Sequence, residues 1–391
     1  MNGVFTSMMC YLKRSSVSLS EIDKLAENTL LFFKMGNENL TLDELKDEWR
    51  NFLISQKYIA LETPVAFRNK DLHLKPYPIS EETYLQTLNV SPIIVSTVEM
   101  TERMSWINSQ PIHEQRSKEW FEIRNTLISA SSAHNIFKSA ASRKTFKEQK
   151  AFPSEFTSGG GAACQHGIRF EPVATELYSV RNKVIVGEYG CIRHREIDCV
   201  GASPDGIVTS EGDLFGTMLE IKCPYSREIT GYPPIYYWIQ VQIQLEVCNL
   251  EACDFLECKF VEYKNISDFI NRSSDMESGI IIEYMNNNEK KYLYSGLRKT
   301  NDEYTKWYND TLDEILPDAS NIISKITYWT IEKYVCTKII RSREWFKSIV
   351  PEFLSFWEEV QECKKGEIPE SLVKKKKKTS MGASYAFSDD S

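Results

Sequence analysis

A turn-rich segment with a strand-like segment on each side constrains the fold of this chain more than any other feature. Val200–Thr209 and Met218–Cys223 are rich in residues typical of strands, and Ser210–Asp213 between them favours a turn. The pattern predicts a β-hairpin. Apolar residues at helical spacing predict helices over Phe170–Val180 and Tyr236–Val247. This order of elements predicts an α/β fold in which strands and helices alternate.

Further elements are predicted toward the C-terminus. Apolar and charged side chains alternate over residues 256–262, which predicts a half-buried strand. Residues 279–296 predict a second hairpin, with its turn at Asn286–Glu289. Helical segments are expected after this hairpin. They end in a helix over Ile349–Val360, which Pro351 either starts or kinks.

The chain of 391 residues is long enough for one large domain with additions or for two ordinary domains. Residues 1–105 are expected to form a helical N-terminal accessory region, because Ser20–Phe33 and later segments have helical periodicity. Residues 106–363 are expected to form the principal domain, with the hairpin at 279–296 as an insertion. The lysine-rich residues 364–391 have no packable pattern and are expected to be disordered.

Composition limits the class of protein. The ten cysteines form no C-x-x-C pair and are too sparse for a disulfide scaffold, so reduced thiols of an intracellular protein are expected. No segment approaches the roughly 20 apolar residues that cross a bilayer, and the N-terminus lacks the residue order of a secretory signal. The chain is therefore expected to be neither membrane-bound nor secreted. The net charge is −8, so any surface that binds DNA must be a local basic region.

Three polar residues of the first hairpin carry the clearest chemical signal. Glu220 and Lys222 lie two residues apart on the predicted strand, so the pleat directs both side chains to one face. Asp205 lies in a turn-type sequence entering the preceding strand, so the hairpin can bring its carboxylate beside Glu220. Two neighbouring carboxylates repel each other unless a cation lies between them. The trio alone is also compatible with an ordinary wet face of a strand.

Magnesium suits such a pair, because it prefers hard oxygen ligands and keeps several of its waters. A bound divalent cation lowers the pKa of water and stabilises charge on phosphoryl oxygens. Lys222 would position or deprotonate the attacking water, or neutralise the developing charge. The spacing therefore indicates phosphodiester hydrolysis.

Five motifs in order resemble the lambda-exonuclease-like nucleases of the PD-(D/E)XK superfamily, which include the YqaJ-type viral recombinases and the viral alkaline nucleases. The resemblance covers about residues 106–263. The motifs are W-x-x-x-R-x(4)-S-A-S (Trp120 to Ser131), H-G-I-R-F-E (His166 to Glu171), S-P-D-G (Ser203 to Gly206), E-x-K-C-P (Glu220 to Pro224) and Y-x-x-Q-V-Q (Tyr237 to Gln242). The resemblance implies a restriction-endonuclease-like core, with a mixed central β-sheet flanked by helices.

The resemblance also implies roles for individual residues. The implied metal ligands are Asp205, Glu220, the backbone carbonyl of Ile221, and Glu171. Lys222 would be the catalytic lysine, and Gln240 would order it and the attacking water. The implied 5′-phosphate-binding residues are Arg124, Ser131, Ser129 and Ser203. Guanidinium and hydroxyl groups suit this role because they donate directional hydrogen bonds to phosphate.

Each of these residues has an ordinary structural alternative. Arg124 could be a surface ion-pair partner, and Glu171 could be a residue of a first helical turn. Gln240 and Gln244 could be solvated helix residues, and Ser203 could cap a turn. His134, His166 and His194 have neither metal-ligand spacing nor a paired nucleophile, so they are expected to be structural.

The function implied is a 5′→3′ exonuclease that uses magnesium, or manganese, on linear double-stranded DNA and leaves 3′ single strands for recombination or viral DNA processing. A single-strand annealing or single-stranded-DNA-binding protein is the expected partner, and the host nucleus or cytoplasm the expected compartment. Two alternatives remain open. One is an endonuclease on DNA or RNA with the same fold, and the other is a non-catalytic DNA-binding scaffold for recombination.

Overall fold

A computed structural model of the chain describes residues 76–113, 117–153, 161–272, 276–287, 289–298 and 300–366. These residues belong to one compact unit. The predictions made for residues 1–75 and for the lysine-rich segment after residue 366 lie outside the described residues. No helix in the described ranges is long and apolar enough to cross a membrane.

A seven-stranded mixed sheet forms the centre of the described unit, with the strand order β2-β5-β6-β7-β10-β8-β9. Only β6 and β7 pair in parallel, and the other neighbours are antiparallel. The strands are β2 (Val186–Gly187), β5 (Gly206–Val208), β6 (Met218–Lys222), β7 (Ala252–Tyr263), β8 (Ser278–Asn286), β9 (Glu289–Tyr294) and β10 (Asn321–Ile340). A mixed sheet with flanking helices is the predicted fold class, so that prediction is confirmed.

A smaller three-stranded sheet has the order β1-β4-β3 and lies beside the first hairpin in the chain. Its strands are β1 (Ile128–Ser129), β3 (Ile192–Arg193) and β4 (Val200–Ala202). The predicted strand over Val200–Thr209 is therefore two strands in two sheets, because the turn-forming Ser203-Pro-Asp205 interrupts it. The hairpin itself is confirmed for its second part, since β5 pairs with β6.

Helices cover both faces of the large sheet. In chain order they are α1 (Glu81–Gln86), α2 (Thr97–Asn108), α3 (Lys118–Asn125), α4 (Ala130–Ala133), α5 (Asn135–Lys138), α6 (Ala140–Ala151), α7 (Ala162–Asn182), α8 (Ile235–Cys248), α9 (Ile266–Ile270), α10 (Asn301–Ile315) and α11 (Arg343–Lys364). The predicted helix over Tyr236–Val247 is confirmed by α8. The last helix starts at Arg343, earlier than predicted, and contains Pro351 in its interior.

The central strand β7 is buried on both faces as far as Cys258, contrary to the predicted half-buried strand, whereas the alternation of buried and more exposed residues from Cys258 to Val261 agrees with the prediction. Phe255 belongs to the apolar cluster that contains α8, whereas its neighbour Leu256 belongs to the cluster that contains α7. Successive side chains of a strand point to opposite faces. Helices therefore cover β7 on both sides, and even Glu257 is fully buried there.

The long strand β10 corrects the expectation that only helices follow the second hairpin. It pairs with β7 along one edge and with β8 along the other. Its residues, NIISKITYWTIEKYVCTKII, are rich in β-branched and aromatic types that suit a pleated surface. The hairpin of β8 and β9 is itself confirmed, and Asn287 in its turn adopts the left-handed conformation with φ 49°.

Candidate active site

The strand β6 presents Glu220 and Lys222 on one face, as the two-residue spacing predicts. The Glu220 side chain is 1% exposed, and that of Lys222 is 20% exposed. The Lys222 Nζ donates a hydrogen bond to Glu220 Oε1 and forms an ion pair with it. A charged acid thus lies inside the protein with a cation bonded to it, which is what a buried carboxylate requires.

Two glutamines of α8 hold the same carboxylate. Gln240 Nε2 donates to Glu220 Oε1 at 2.6 Å, and Gln244 Nε2 donates to Glu220 Oε2 at 2.7 Å. Residues four apart lie on one face of a helix, so the sequence of α8 directs both amides toward β6. Both glutamines are buried. Their alternative interpretation as solvated helix residues is therefore wrong.

Asp205 lies in the break between β4 and β5, and its Oδ2 accepts a 2.7 Å hydrogen bond from the Ile221 N–H of β6. The turn thereby brings its carboxylate beside the Glu220 strand, as the hairpin predicts. Burial and the negative charges of Glu220 and Glu171 raise the pKa of Asp205 well above its ordinary value. Three acids therefore contribute negative charge to one small region.

Glu171 contributes to this region from α7. It is half-buried, and its charge is one of those that raise the pKa of Asp205. The helix begins at Ala162, so Glu171 lies well inside it. The sequence segment from His166 to Glu171 is thus a helix interior and not a helix start, and the first-turn alternative for Glu171 is wrong.

The donor set fits a divalent cation of the magnesium type. Asp205 and Glu220 offer hard carboxylate oxygens, and within the described ranges Lys222, bonded to Glu220, is the one cation that pairs with either, so the acids exceed the cations. Magnesium commonly uses one or two protein carboxylates and completes its shell with water and phosphate. No group of three or more His, Cys, Asp or Glu residues is arranged to hold a metal ion within the described ranges. The Ile221 carbonyl and Glu171 remain predicted ligands.

The protonation of Lys222 follows from its neighbours. Burial lowers the pKa of this lysine, but the charges of Glu220 and Asp205 and the hydrogen bond to Glu220 outweigh that effect and raise it overall. The Nζ also lies 4.9 Å from the centre of the Tyr237 ring. Lys222 is therefore held as a positive charge beside the two carboxylates.

A second polar cluster contains the predicted phosphate-binding residues. Arg124 Nη2 donates to Ser131 Oγ at 2.9 Å and to Ser129 Oγ at 3.2 Å. The guanidinium carbon lies 4.2 Å from the centre of the Trp120 ring, which supports it from one side. No carboxylate of the described residues pairs with Arg124. It is therefore not an ordinary surface ion-pair partner, because its neighbours in the described ranges are hydroxyls.

Ser203 connects the two clusters. Gln244 Nε2 donates to the Ser203 carbonyl at 3.2 Å while it also binds Glu220. The Ser203 hydroxyl lies beside the buried Cys191 thiol, which in turn interacts with the charge of Arg124. Burial raises the pKa of Cys191, so the thiol is neutral there. The acidic centre and the Arg124 cluster are thus adjoining parts of one site.

Lys150 is a member of this site that the sequence interpretation missed. Its Nζ donates to the Arg124 carbonyl at 2.6 Å, and the residue is 8% exposed. Burial and the charge of Arg124 lower the pKa of Lys150 to about 7. The segment RKTFKEQK has several lysines at helical spacing, so nothing in the sequence distinguishes the buried lysine from the solvated ones.

The three histidines have structural contacts. The Nδ1 of His194 accepts hydrogen bonds from the backbone N–H groups of Glu196 and Ile197, both at 3.1 Å. The Nδ1 of His166 lies 3.4 Å from a carboxylate oxygen of Glu262. The ring of His134 packs beside Tyr236. These contacts agree with the expectation that none of them is a catalytic base.

The fold and the site together define a class of protein. A hairpin of the mixed sheet carries two acids and a lysine, Asp205, Glu220 and Lys222. The flanking helix α8 supplies Gln240 and Gln244, which bind the Glu220 carboxylate. The model of the YqaJ-like viral recombinase domain matches residues 119–251, a range that contains both clusters. This part of the chain is therefore similar to the YqaJ-type recombinases, and the predicted resemblance is confirmed.

Other known proteins are similar over a larger part of the chain. An uncharacterized protein of Acanthamoeba polyphaga mimivirus is 30% identical over 305 residues, which are 66% of this chain and 54% of that protein. The chain therefore spans about half the length of that relative.

Two solved structures are also similar. An alkaline exonuclease from Laribacter hongkongensis is 24% identical, with a TM-score of 0.40, over 67% of this chain and 100% of that one. A phage-related exonuclease from Haemophilus somnus 129PT is 14% identical, with a TM-score of 0.36, over 61% of this chain and 94% of that one.

Proposed function

We propose that this chain is a metal-dependent deoxyribonuclease that digests linear double-stranded DNA in the 5′→3′ direction and leaves 3′ single strands. The observation that carries the proposal is the convergence of Asp205, Glu220 and Lys222 at one point beside the Arg124 cluster. The YqaJ-like domain over the same residues supports it. The 3′ strands would be substrates for a single-strand annealing protein during recombination.

The residues of the acidic centre would have different roles in hydrolysis. Asp205, Glu220, Glu171 and the Ile221 carbonyl would hold magnesium, with manganese as a substitute. A divalent cation, when bound, supplies charge that stabilises the phosphoryl oxygens in the transition state. Lys222 adds a fixed positive charge and a proton donor beside the scissile phosphate. Gln240 and Gln244 prevent the Glu220 carboxylate from rotating away.

The Arg124 cluster would determine the strand end from which the enzyme digests DNA. Arg124 with Ser129, Ser131 and Ser203 forms a set of donors that suits the dianionic terminal phosphate of a 5′ end. An internal phosphodiester carries one negative charge and fewer free oxygens, so it would bind such a set less well. A terminus bound there would present its adjacent phosphodiester to the acidic centre.

The test is a digestion of linear duplex DNA with magnesium, labelled at the 5′ end or at the 3′ end. The wild-type protein should release the 5′ label early as a mononucleotide. Asp205→Asn and Lys222→Met should each lower the rate by at least ~10³-fold, as expected for groups that act on the reacting atoms. Lys259→Met is the matched control, because Lys259 pairs with Glu332 on the sheet surface.

The outcome that contradicts the proposal is a folded wild-type protein that is inert on every DNA substrate with both metals. Covalently closed circular DNA and a structured RNA complete the test. Cleavage of the circle at the rate of the linear duplex would establish an endonuclease. Early release of the 3′ label would reverse the direction.

A further inference from the structure

Lys150 is buried and Arg124 is half-buried, and in the part of the chain that the structure describes neither basic side chain has a matching acid. The Lys150 Nζ bonds to the backbone carbonyl of Arg124, at the C-terminal end of α3. Within the described ranges, no carboxylate lies within ion-pair distance of either side chain. By contrast, the buried arginines Arg103 and Arg169 each pair with a glutamate.

The geometry leaves donors of both cations for a ligand. An ammonium has three N–H donors, and the Arg124 carbonyl accepts one from Lys150. The guanidinium of Arg124 uses Nη2 for Ser129 and Ser131. Two neighbouring cations, of which Lys150 is buried and Arg124 half-buried, are costly to keep charged together unless an anion joins them.

We propose that Lys150 binds the terminal phosphate together with Arg124, and that it takes up a proton when the phosphate enters. The inference rests on the proposed function. It adds Lys150 as a second cation that binds the terminal phosphate, and a proton that Lys150 takes up on binding. It also gives a chemical reason for selecting a 5′ phosphate, because a phosphate dianion can balance both cations whereas a 5′ hydroxyl balances neither.

The groups that face Lys150 determine its charge. They are the Arg124 guanidinium from α3, the Cys191 thiol that precedes β3, and Lys364 from α11. Arg124 and Lys364 disfavour a third positive charge, and the thiol is neutral because burial raises its pKa. With a pKa of about 7, Lys150 is mostly neutral at pH 8. A phosphate dianion favours the charged form, so the bound state holds one more proton.

Binding is measured in EDTA, so that no hydrolysis occurs, with duplexes that differ only in a 5′-phosphate or a 5′-hydroxyl. The wild-type protein should bind the phosphorylated duplex at least ~10-fold more tightly, as expected for charge-assisted bonds to phosphate. Lys150→Met should lose most of this preference while its affinity for the hydroxyl duplex is unchanged. Lys147→Met, one turn away on α6 and paired with Glu359 on the surface, is the matched control and should retain the preference.

Calorimetry at pH 8 in buffers of different ionisation enthalpy counts the protons. Wild type and Lys147→Met should take up most of one proton with the phosphorylated duplex. Lys150→Met should take up none. This readout separates phosphate binding from mere capping of α3, because a lysine that only caps the helix gives no phosphate-dependent uptake. If Lys150→Met does not fold, the number of protons that the wild-type protein takes up on binding the phosphorylated duplex is the deciding measurement.

The inference and the proposed function can fail separately. Proton uptake near zero in the wild type, or an unchanged phosphate preference in Lys150→Met, overturns the role of Lys150 and leaves the nuclease intact. An active wild-type nuclease without phosphate preference overturns it as well. A wild-type protein that binds the phosphorylated end with uptake of a proton but never hydrolyses DNA overturns the proposed function alone.

Discussion

The Glu220 carboxylate depends on neighbouring side chains because it is excluded from water. Lys222 and Gln240 donate to one oxygen, and Gln244 donates to the other. A buried acceptor that loses its donor costs about 1–3 kcal/mol. Gln244 also donates to the Ser203 carbonyl, so it joins the acidic centre to the segment that carries Asp205.

We predict that Gln244→Leu lowers both stability and activity. The free energy of unfolding in urea should fall by about 1–3 kcal/mol, because the Glu220 oxygen and the Ser203 carbonyl each lose a donor. Gln242→Leu is the matched control. Gln242 is equally buried but bonds to Ile340 and Ser342, so its loss should lower stability without lowering the rate per folded molecule. Equal rate losses in the two variants would contradict the role given to Gln244.

Glu257 is a second buried acid of the sheet, and Arg227 is its charged partner. The Glu257 side chain has no exposed surface, whereas that of Arg227 is 31% exposed. Burial raises the pKa of Glu257 even though Arg227 opposes this. An acid with a raised pKa in the folded state destabilises the protein at a pH above its unfolded value, near 4.5.

We predict that Arg227→Met destabilises the protein by about 3–5 kcal/mol near neutral pH, because it leaves a buried charge unpaired. The pKa of Glu257 should then rise further, so the deficit should shrink as the pH falls toward 4.5 and the acid becomes neutral. Glu257→Gln should have a smaller deficit near neutral pH, and that deficit should grow as the pH falls toward 4.5, because the wild type then loses its destabilising buried charge and glutamine does not titrate. Urea titrations between pH 4.5 and 8 measure both. A deficit in Arg227→Met that is constant with pH would contradict the prediction.

At the level of elements, the end of α7 shows a conformation that its residue does not favour. The C-cap residue Lys183 has φ 57° and ψ 46°, which is the left-handed region. A side chain with a Cβ is strained there, whereas glycine is not. Lys183 is exposed, and within the described residues its side chain forms no ion pair.

We predict that Lys183→Gly raises the free energy of unfolding by up to about 1 kcal/mol, because the relief of strain exceeds the entropy that glycine gains in the unfolded chain. Lys183→Ala keeps the Cβ and should change stability by less than about half of that amount. Urea denaturation of the three proteins measures the difference. A loss of stability in Lys183→Gly would show that the lysine side chain contributes more than its backbone strain costs.

The sequence predicts those elements whose local pattern agrees with their environment. The hairpin of β5 and β6, the helix α8 and the hairpin of β8 and β9 have strong periodicity and clear turn residues. Strand β10 was missed although its composition favours a strand, because its alternation is interrupted at the irregularities near Ile323 and Ile331. The two-sided burial of β7 was missed because charged residues in a strand usually face water, and Glu257 does not.

The sequence also predicted some residues of the candidate site and missed others. Asp205, Glu220 and Lys222 are close in sequence, so the hairpin alone brings them together. Gln244 and Lys150 reach the site through helix packing, which a local pattern does not contain. A lysine in a polar helix is normally solvated. Only the contact of its Nζ with the Arg124 carbonyl distinguishes Lys150 from its neighbours.

The charge of the whole molecule opposes its proposed substrate. The net charge is −8, and under the proposed function the DNA backbone would have to approach the acids of this centre. Charges separated by more than a Debye length of about 8–10 Å are largely screened in ordinary buffer. The distribution of charge near the site therefore matters more for binding than the total does.

Two variants that change the net charge from −8 to −7 test this distinction. In a buffer alkaline enough to ionise Asp205, whose pKa is raised by burial and by its acidic neighbours, Asp205→Asn removes a negative charge from the acidic centre, whereas Asp318→Asn removes one from a fully exposed position. In EDTA at about 0.1 M salt, we predict that Asp205→Asn binds a 5′-phosphorylated duplex about 3- to 5-fold more tightly than the wild type, because one repulsive interaction with the scissile phosphate is lost. Asp318→Asn should bind like the wild type.

When magnesium is present, the wild-type protein should bind the duplex more tightly than Asp205→Asn does. The cation is expected to strengthen binding by the wild-type protein more than by Asp205→Asn, because Asp205 would be one of the two carboxylates that hold it. Fluorescence anisotropy with a non-hydrolysable duplex measures both conditions. If the two variants bind equally, total charge governs the encounter and Asp205 does not face the DNA backbone. If Asp205→Asn binds more tightly in EDTA and gains less from magnesium, its carboxylate lies at the point where cation and phosphate meet.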